Sequence, residues 1–163
     1  MKNVRVRPHS KQVFMRRHGP DWEDDDPRPL EYDLPPMVKR ITREDARPIL
    51  RELGKLGGKG AFKRAELVGS VATRGSSEKD LDILVVIDPS KVGVQVKDLD
   101  EFYEWLNSEE GPGLELVEAI HGAMGKANAY FMPGSDPDPE SWVLVYRGRS
   151  MPVDLWYGWE PDQ

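Results

Sequence analysis

The sequence contains no cysteine, and this absence excludes disulfide bonds, thiolate catalysis and cysteine-based zinc sites. Long apolar runs are absent as well, and no apolar segment follows the basic residues at 1–7, so neither a membrane span nor a signal peptide is predicted. We therefore expect a cytoplasmic protein without a membrane partner. Histidines 9, 18 and 121 are scattered without the spacing of metal ligands, and no catalytic role is expected for them.

An excess of positive charge is also missing. The 163 residues include 23 Lys and Arg against 29 Asp and Glu, which gives a formal net charge of −6. This balance argues against strong nonspecific binding of nucleic acid, because that affinity comes from cations that contact phosphates. The length and the hydrophobic content of 38% suit one globular domain with a modest core and polar extensions.

The first 37 residues differ in composition from the rest. Residues 1–17 are basic, an acidic run follows at 21–26, and the prolines at 27–36 disfavour both helix and central strand. The sequence therefore predicts an N-terminal extension at 1–37, flexible or loosely docked, before a folded domain at 38–163. A second interpretation is an arm that binds nucleic acid or a partner, and Val4 and Val6 would also suit an edge strand.

The folded domain is organised around residues 67–87, which read LVGSVATRGSSEKDLDILVVI. A strand leads into Gly69 and Ser70, a polar turn follows, and a second strand carries Asp80 and Asp82. Side chains two apart in a strand share a face, so a divalent cation between these carboxylates would offset their repulsion. Gly69 would let the backbone approach a phosphate, and Ser70 would lie where a helix begins and offers free N–H groups.

Each half of this pattern also has a simpler interpretation. Gly-Ser after an apolar run is commonly a turn, and an Asp-x-Asp strand commonly presents a solvated face. The combination is less common, since Gly69 and Asp80 lie eleven residues apart, with strand, turn and strand in the required order. A third acidic strand residue, Asp154, lies in the apolar stretch MPVDLWY.

The remaining elements are predicted from periodicity and turn residues. One helix is capped by Asp45 and ends at 57–58, and a second is capped by Asp98. Strands are predicted at 66–69, 81–87, 114–120, 127–132, 142–146 and 151–156, the last two forming a hairpin, with a loop at 134–140. The aromatic residues near the C-terminus are interpreted as packing residues: Trp142, Trp156, Tyr157 and Trp159.

With these motifs the chain resembles the nucleotidyltransferase superfamily typified by DNA polymerase beta, and its layout is similar to the palm of family X polymerases. The resemblance covers about residues 46–158. Gly69 and Ser70 with Arg74 and Gly75 are similar to the family's Gly-Ser-x-Arg-Arg-Gly loop. One departure is that Arg74 and Gly75 stand one residue later than the family's pair.

The acidic residues carry the other part of the resemblance. Asp80 and Asp82 match the family's two metal aspartates, and RSMPVDL resembles the Arg-Arg-Ile-Asp-Ile strand, which makes Asp154 the third aspartate. The resemblance implies an α+β fold, with a mixed β-sheet and helices packed mainly on one face. It also implies that Asp80, Asp82 and Asp154 are catalytic and bind two Mg²⁺ ions, for which Mn²⁺ would substitute.

The activity implied is metal-dependent transfer of a nucleoside monophosphate from an NTP or dNTP to an acceptor hydroxyl, with release of pyrophosphate. Gly69, Ser70, Arg74 and Gly75 would bind the nucleotide phosphates. The expected acceptor is a nucleic acid 3′ end, with DNA or RNA held through the basic arm and a protein as a further expected partner.

Two alternatives stay open at this point. The first is transfer to a small molecule, a protein or a tRNA end, which the acidic balance and the lack of a counterpart to the family's thumb favour. The second is a nucleotide-binding or scaffold protein without catalysis, against which the intact carboxylates count.

Overall fold

The computed structural model describes the backbone of residues 2–4 and all of residues 34–132 and 139–160. The strands are β1 (Lys2–Val4), β2 (Ile41–Thr42), β3 (Phe62–Val68), β4 (Ser76–Ser77), β5 (Leu81–Ile87), β6 (Ala129–Phe131), β7 (Glu140–Tyr146) and β8 (Arg149–Trp159). The helices are α1 (Arg47–Gly54), α2 (Gly69–Arg74), α3 (Leu99–Leu106) and α4 (Pro112–Lys126), and 3-10 turns lie at Arg43–Ala46 and Pro89–Val92.

A six-stranded mixed sheet forms the centre of the fold. Its order is β3-β5-β8-β7-β6, and β1 also pairs with β8. β5 and β8 run parallel, whereas the other neighbours in this sheet are antiparallel. β8 is the longest strand and has β5 along one side, with β7 and then β1 along the other. The α+β class with a mixed sheet is therefore confirmed.

The two faces of the sheet differ in what covers them. Alternate residues of β5 lie in the main hydrophobic cluster with buried residues of α1, α3 and α4: Leu81, Ile83, Val85 and Ile87. Leu84 and Val86 are buried but lie outside that cluster. Asp82 shares their face because strand side chains alternate. The helices thus pack mainly on one face, as predicted, and the carboxylate lies on the other.

The prediction of a strand at 114–120 is wrong, because these residues are part of α4. The alternating start of LELVEAI favoured a strand, yet the buried residues recur three or four positions apart, as on one face of a helix: Leu116, Val117, Ile120, Ala123 and Met124. Pro112 occupies the first turn of α4, where its missing N–H costs no hydrogen bond. None of the described helices is long and apolar enough to cross a membrane.

The helix starts agree with the sequence in one case and differ in the other. Asp98 caps α3 as predicted, since its Oδ1 accepts the N–H of Glu101 at 2.9 Å. Asp45 does not cap α1; it lies in the preceding 3-10 turn, where its Oδ2 accepts the N–H of Thr42 at 2.9 Å. α1 then begins at Arg47 and ends at Gly54, before the predicted glycine stop.

The strand predictions differ mainly in their bounds. β3 begins earlier than predicted, and Gly69 starts α2 instead of ending the strand. β6 covers only part of 127–132, because Asn128 has a φ of 68°. The hairpin of β7 and β8 is confirmed, with two turn residues at positive φ, as such turns require. Of the predicted loop, 134–138 lies outside the described residues and Glu140 begins β7.

Part of the predicted N-terminal extension contacts β8. β1 pairs with residues 157–159, and the hydroxyl of Ser150 donates to the carbonyl of Pro35 at 2.8 Å. The N–H of Val38 donates to the carbonyl of Ser150 at 2.9 Å. The division of the chain between 37 and 38 stays a prediction. The acidic run at 21–26 and the basic arm beyond residue 4 lie outside the described residues.

A buried carboxylate connects α4 to the sheet on the helix side. Glu140 is 2% exposed and accepts the hydroxyl of Tyr157 at 3.1 Å and the indole N–H of Trp142 at 3.2 Å. Nε2 of His121 lies 3.0 Å from both carboxylate oxygens. Burial, and then the charge of Glu140, holds the pKa of Tyr157 well above its usual range. Glu140 thus gives three buried polar side chains a shared partner, whereas Nδ1 of His121 is buried without a hydrogen-bond partner among the described residues.

Glu140→Ala should destabilise the fold by about 3 kcal/mol or more, because three buried polar side chains lose their shared partner. Glu140→Gln should cost less, since the amide oxygen still accepts. Chemical denaturation gives both free energies of unfolding, with Glu104→Ala on the exposed side of α3 as the control. Equal stability of the two alanine variants would contradict the prediction.

Candidate functional site

Neighbouring strands bring three carboxylates together on the face of the sheet opposite the helices. Asp80 directly precedes β5, and Asp82 lies within it. Asp154 of β8 is paired in register with Asp82 across the parallel strands. One oxygen from each of the three side chains lies within 4.8 Å of the other two, and all three residues are half-buried. The acidic residues singled out in the sequence therefore form one cluster.

The cluster is electrostatically unfavourable without a cation. Burial, followed by the hydrogen bond and charge of Asp80 and the charge of Asp82, raises the pKa of Asp154 to about 7. Burial also raises the pKa of Asp82; a hydrogen bond from Trp156 opposes that rise, and the charge of Asp80 adds to it. Both shifts have the direction expected for carboxylates that share one site.

Gly69 lies directly against this cluster. It follows Val68, which is paired with Asp82 between β3 and β5. A Cβ at Gly69 would lie 3.0 Å from Cγ and 3.1 Å from Cβ of Asp82, and the residue has a φ of 72°. The sequence suggested that this glycine admits a phosphate; the structure shows that it admits the Asp82 side chain.

The other residues of the predicted phosphate loop belong to α2 or end it. Ser70 lies in the first turn and Arg74 is the last residue, and both are exposed. They line a cavity of about 600 Å³ with four further residues: Ser76, Ser77, Glu78 and Lys79. Gly75 ends the helix at a φ of 88°, where its N–H donates to the carbonyl of Val71 at 3.0 Å. Gly75 thus ends α2 and is not among the residues that line the cavity.

One contact of the site was not predicted. The indole N–H of Trp156, interpreted from sequence as a packing group, donates to Oδ1 of Asp82 at 3.2 Å. Trp156 is two residues beyond Asp154 on the same strand, so the two side chains share a face. The two-residue spacing in the sequence could have indicated that Trp156 lies beside Asp154. The indole of Trp156 orients the carboxylate of Asp82 from the neighbouring strand.

No protein-family model matches the sequence, and no curated protein is similar to it. A chain in the solved structure of the E. coli MS115-1 CdnC:HORMA-deltaN complex matches with 20% sequence identity and a TM-score of 0.43. The match covers 83% of this chain and 40% of that chain, so this protein spans less than half the length of the other.

The raised pKa of Asp154 leads to a prediction for the metal-free protein. Its pKa rises from an ordinary 3.8 to about 7 in the fold, so its contribution to stability is complete below about pH 4 and lost as the pH rises through 7. Asp154→Asn keeps the group neutral and should raise the melting temperature at pH 8 in EDTA, by about 2–4 °C for each 1 kcal/mol relieved.

At pH 5, where wild-type Asp154 is largely protonated, the same substitution should change the melting temperature much less. Thermal unfolding at both pH values, with Asp100→Asn on α3 as the control, checks this difference. A gain that is equal at pH 5 and pH 8 would show that repulsion in the cluster is not its cause.

Proposed function

We propose that this protein is a metal-dependent nucleotidyltransferase that moves a nucleoside monophosphate from an NTP or dNTP to an acceptor hydroxyl and releases pyrophosphate. The observation that carries the proposal is the cluster of Asp80, Asp82 and Asp154, in which Asp82 lies against Gly69, the neighbour in sequence of Ser70 on the cavity wall. A cation site beside a polar, partly basic cavity suits a nucleoside triphosphate with its metal. The resemblance of the sequence to family X palms supports the same activity.

The acidic cluster fits magnesium by its chemistry. Carboxylate oxygens are ligands that Mg²⁺ prefers, and the raised pKa of Asp154 reflects burial and then the neighbouring Asp80 and Asp82, whose repulsion a cation relieves. Asp80, Asp82 and Asp154 would hold two Mg²⁺ or Mn²⁺ ions. Ions held in this way stabilise the attacking and leaving oxygens of an in-line displacement and lower the pKa of an acceptor hydroxyl.

The chain's own groups bind and orient the nucleotide. The hydroxyl of Ser70 and nearby backbone N–H groups would donate to the β- and γ-phosphates, and Arg74 and Lys79 on the cavity wall would add positive charge. Trp156 holds Oδ1 of Asp82 and so limits how that carboxylate can turn. Positioning and charge, rather than covalent chemistry by a side chain, account for the catalysis.

A nucleic acid 3′ end is the acceptor that we propose first. The basic residues at 1–17 support this proposal, because an arm of this charge would contact a phosphate backbone. A protein partner would be held at the same arm.

The second candidate is transfer to a small molecule, a protein or a tRNA end, which the net charge of −6 favours. A scaffold without catalysis is less well supported, because burial and then mutual repulsion raise the pKa values of this cluster, which destabilises the fold without serving a scaffold.

The proposal is tested by incubating the full chain with α-labelled NTPs and dNTPs, Mg²⁺ or Mn²⁺, and a panel of acceptors. DNA and RNA 3′ ends, tRNA, small hydroxyl compounds and proteins should be compared. Label should reach one acceptor class with wild type and fall to background with Asp80→Asn or Asp154→Asn, while Asp100→Asn stays active. Undiminished transfer by the two cluster variants would remove the carboxylates from the reaction.

Ser70→Ala should raise the KM for the nucleotide by about tenfold to 100-fold, because a hydrogen bond to a charged group contributes about 1.5–3 kcal/mol. The melting temperature should change little, since Ser70 is exposed. Steady-state kinetics beside a melting curve measure both, with Ser108→Ala at the end of α3 as the control. An unchanged KM with a lower melting temperature would mean that Ser70 only stabilises the first turn of α2 and does not bind the nucleotide.

A further inference from the structure

Helix α2 is too short for its own hydrogen bonds to fix its position. It has six residues, fewer than two turns, and so forms few internal hydrogen bonds. Val71 is its buried residue. Ser70 and Arg74 project from this helix towards the cavity, and their placement relative to the carboxylates depends on what fixes the helix.

Arg43, which lies outside the site, donates hydrogen bonds to two backbone carbonyls of α2. Arg43 donates from Nε to the carbonyl of Val71 at 3.2 Å and from Nη2 to the carbonyl of Ala72 at 2.8 Å. The last carbonyls of a helix lack partners within it, and a cation there also complements the negative end of the helix. The same guanidinium therefore binds two carbonyls, 28 and 29 residues away in sequence, of which that of Val71 also accepts the N–H of Gly75.

The 3-10 turn that contains Arg43 is bound to β8, the strand that carries Asp154. It lies in the 3-10 turn with Asp45, a buried residue whose Oδ2 accepts the N–H of Thr42. The other oxygen of Asp45 accepts Nη2 of Arg149 at 2.6 Å, and Arg149 is the first residue of β8. Thr42 also pairs with Ser76, just beyond α2, through β2 and β4. Polar contacts, joined through the backbone of the 3-10 turn, therefore link β8 to α2.

We propose that Arg43 is a positioning residue for the phosphate side of the site. Its guanidinium holds α2, and with it Ser70 and Arg74, at a set distance from the carboxylates of β5 and β8. The inference rests on the proposed function, since the phosphates held at α2 must meet the cation held by Asp80, Asp82 and Asp154. Arg43 acts through the helix and not on the substrate.

The test compares Arg43→Met, which keeps the aliphatic stem without the donors, with Arg43→Lys, which keeps the charge and fewer donors. Arg47→Met is the matched control, because Arg47 is an exposed arginine on the next turn. Nucleotide KM and kcat are measured for each variant, together with amide hydrogen exchange of residues 69–77 and 81–87 in the full chain.

Arg43→Met should raise the nucleotide KM by about tenfold to 100-fold, the effect of losing the hydrogen bond from Ser70 to a charged phosphate. Exchange should quicken at 69–77 and stay as in wild type at 81–87. Arg43→Lys should lie between wild type and Arg43→Met, and Arg47→Met should match wild type. A general loss of stability would instead quicken exchange in both segments and would leave the lysine variant no better.

The proposal is overturned by wild-type exchange at 69–77 in Arg43→Met, by an unchanged KM, or by equally faster exchange at 81–87. A wild-type protein that transfers no nucleotide would refute the proposed function. The exchange comparison then still answers whether Arg43 holds α2, because it needs neither nucleotide nor metal.

Discussion

Repulsion among three carboxylates on two adjacent strands is the constraint around which the rest of the fold is arranged. Asp82 and Asp154 face each other because β5 and β8 are parallel and in register. Alternate residues of β5, such as Leu81 and Ile83, are buried against the helices and hold that register. A slip of one residue would turn the carboxylates into the core, so the hydrophobic cluster on one face stabilises an unfavourable charge cluster on the other.

The sequence predicted much of this site because its signals are local. Asp80 and Asp82 are two residues apart in an apolar strand, and Gly69 precedes them at a spacing that a strand and a turn fill. That Asp154 joins them depends on the pairing of β5 with β8, which the family resemblance supplied and periodicity alone could not. The misassigned segment 114–120 shows the limit of periodicity, since LELVEAI alternates like a strand over a few residues while its longer pattern is helical.

The contacts that the sequence did not reveal join residues far apart in the chain. Trp156 reaches Asp82 from 74 residues away, and Arg43 reaches the carbonyl of Val71 from 28 residues away. His121 and Glu140 meet inside the core across 19 residues. A tryptophan, an arginine and a histidine are ordinary in their local surroundings, and only the folded chain shows that each completes the hydrogen bonding of a distant group.

β8 lies at the centre of the sheet, yet it follows all of its neighbours in the chain. A growing polypeptide has both β5 and β7 before it has the strand that separates them, and their open edges can pair with each other or with another molecule. The parallel ladder between residues 81–87 and 153–159 is also a contact of high sequence separation, which forms slowly. Pairing of β8 with β5 and assembly of the acidic cluster are therefore one event, and a chain whose three carboxylates lie together has formed its parallel ladder.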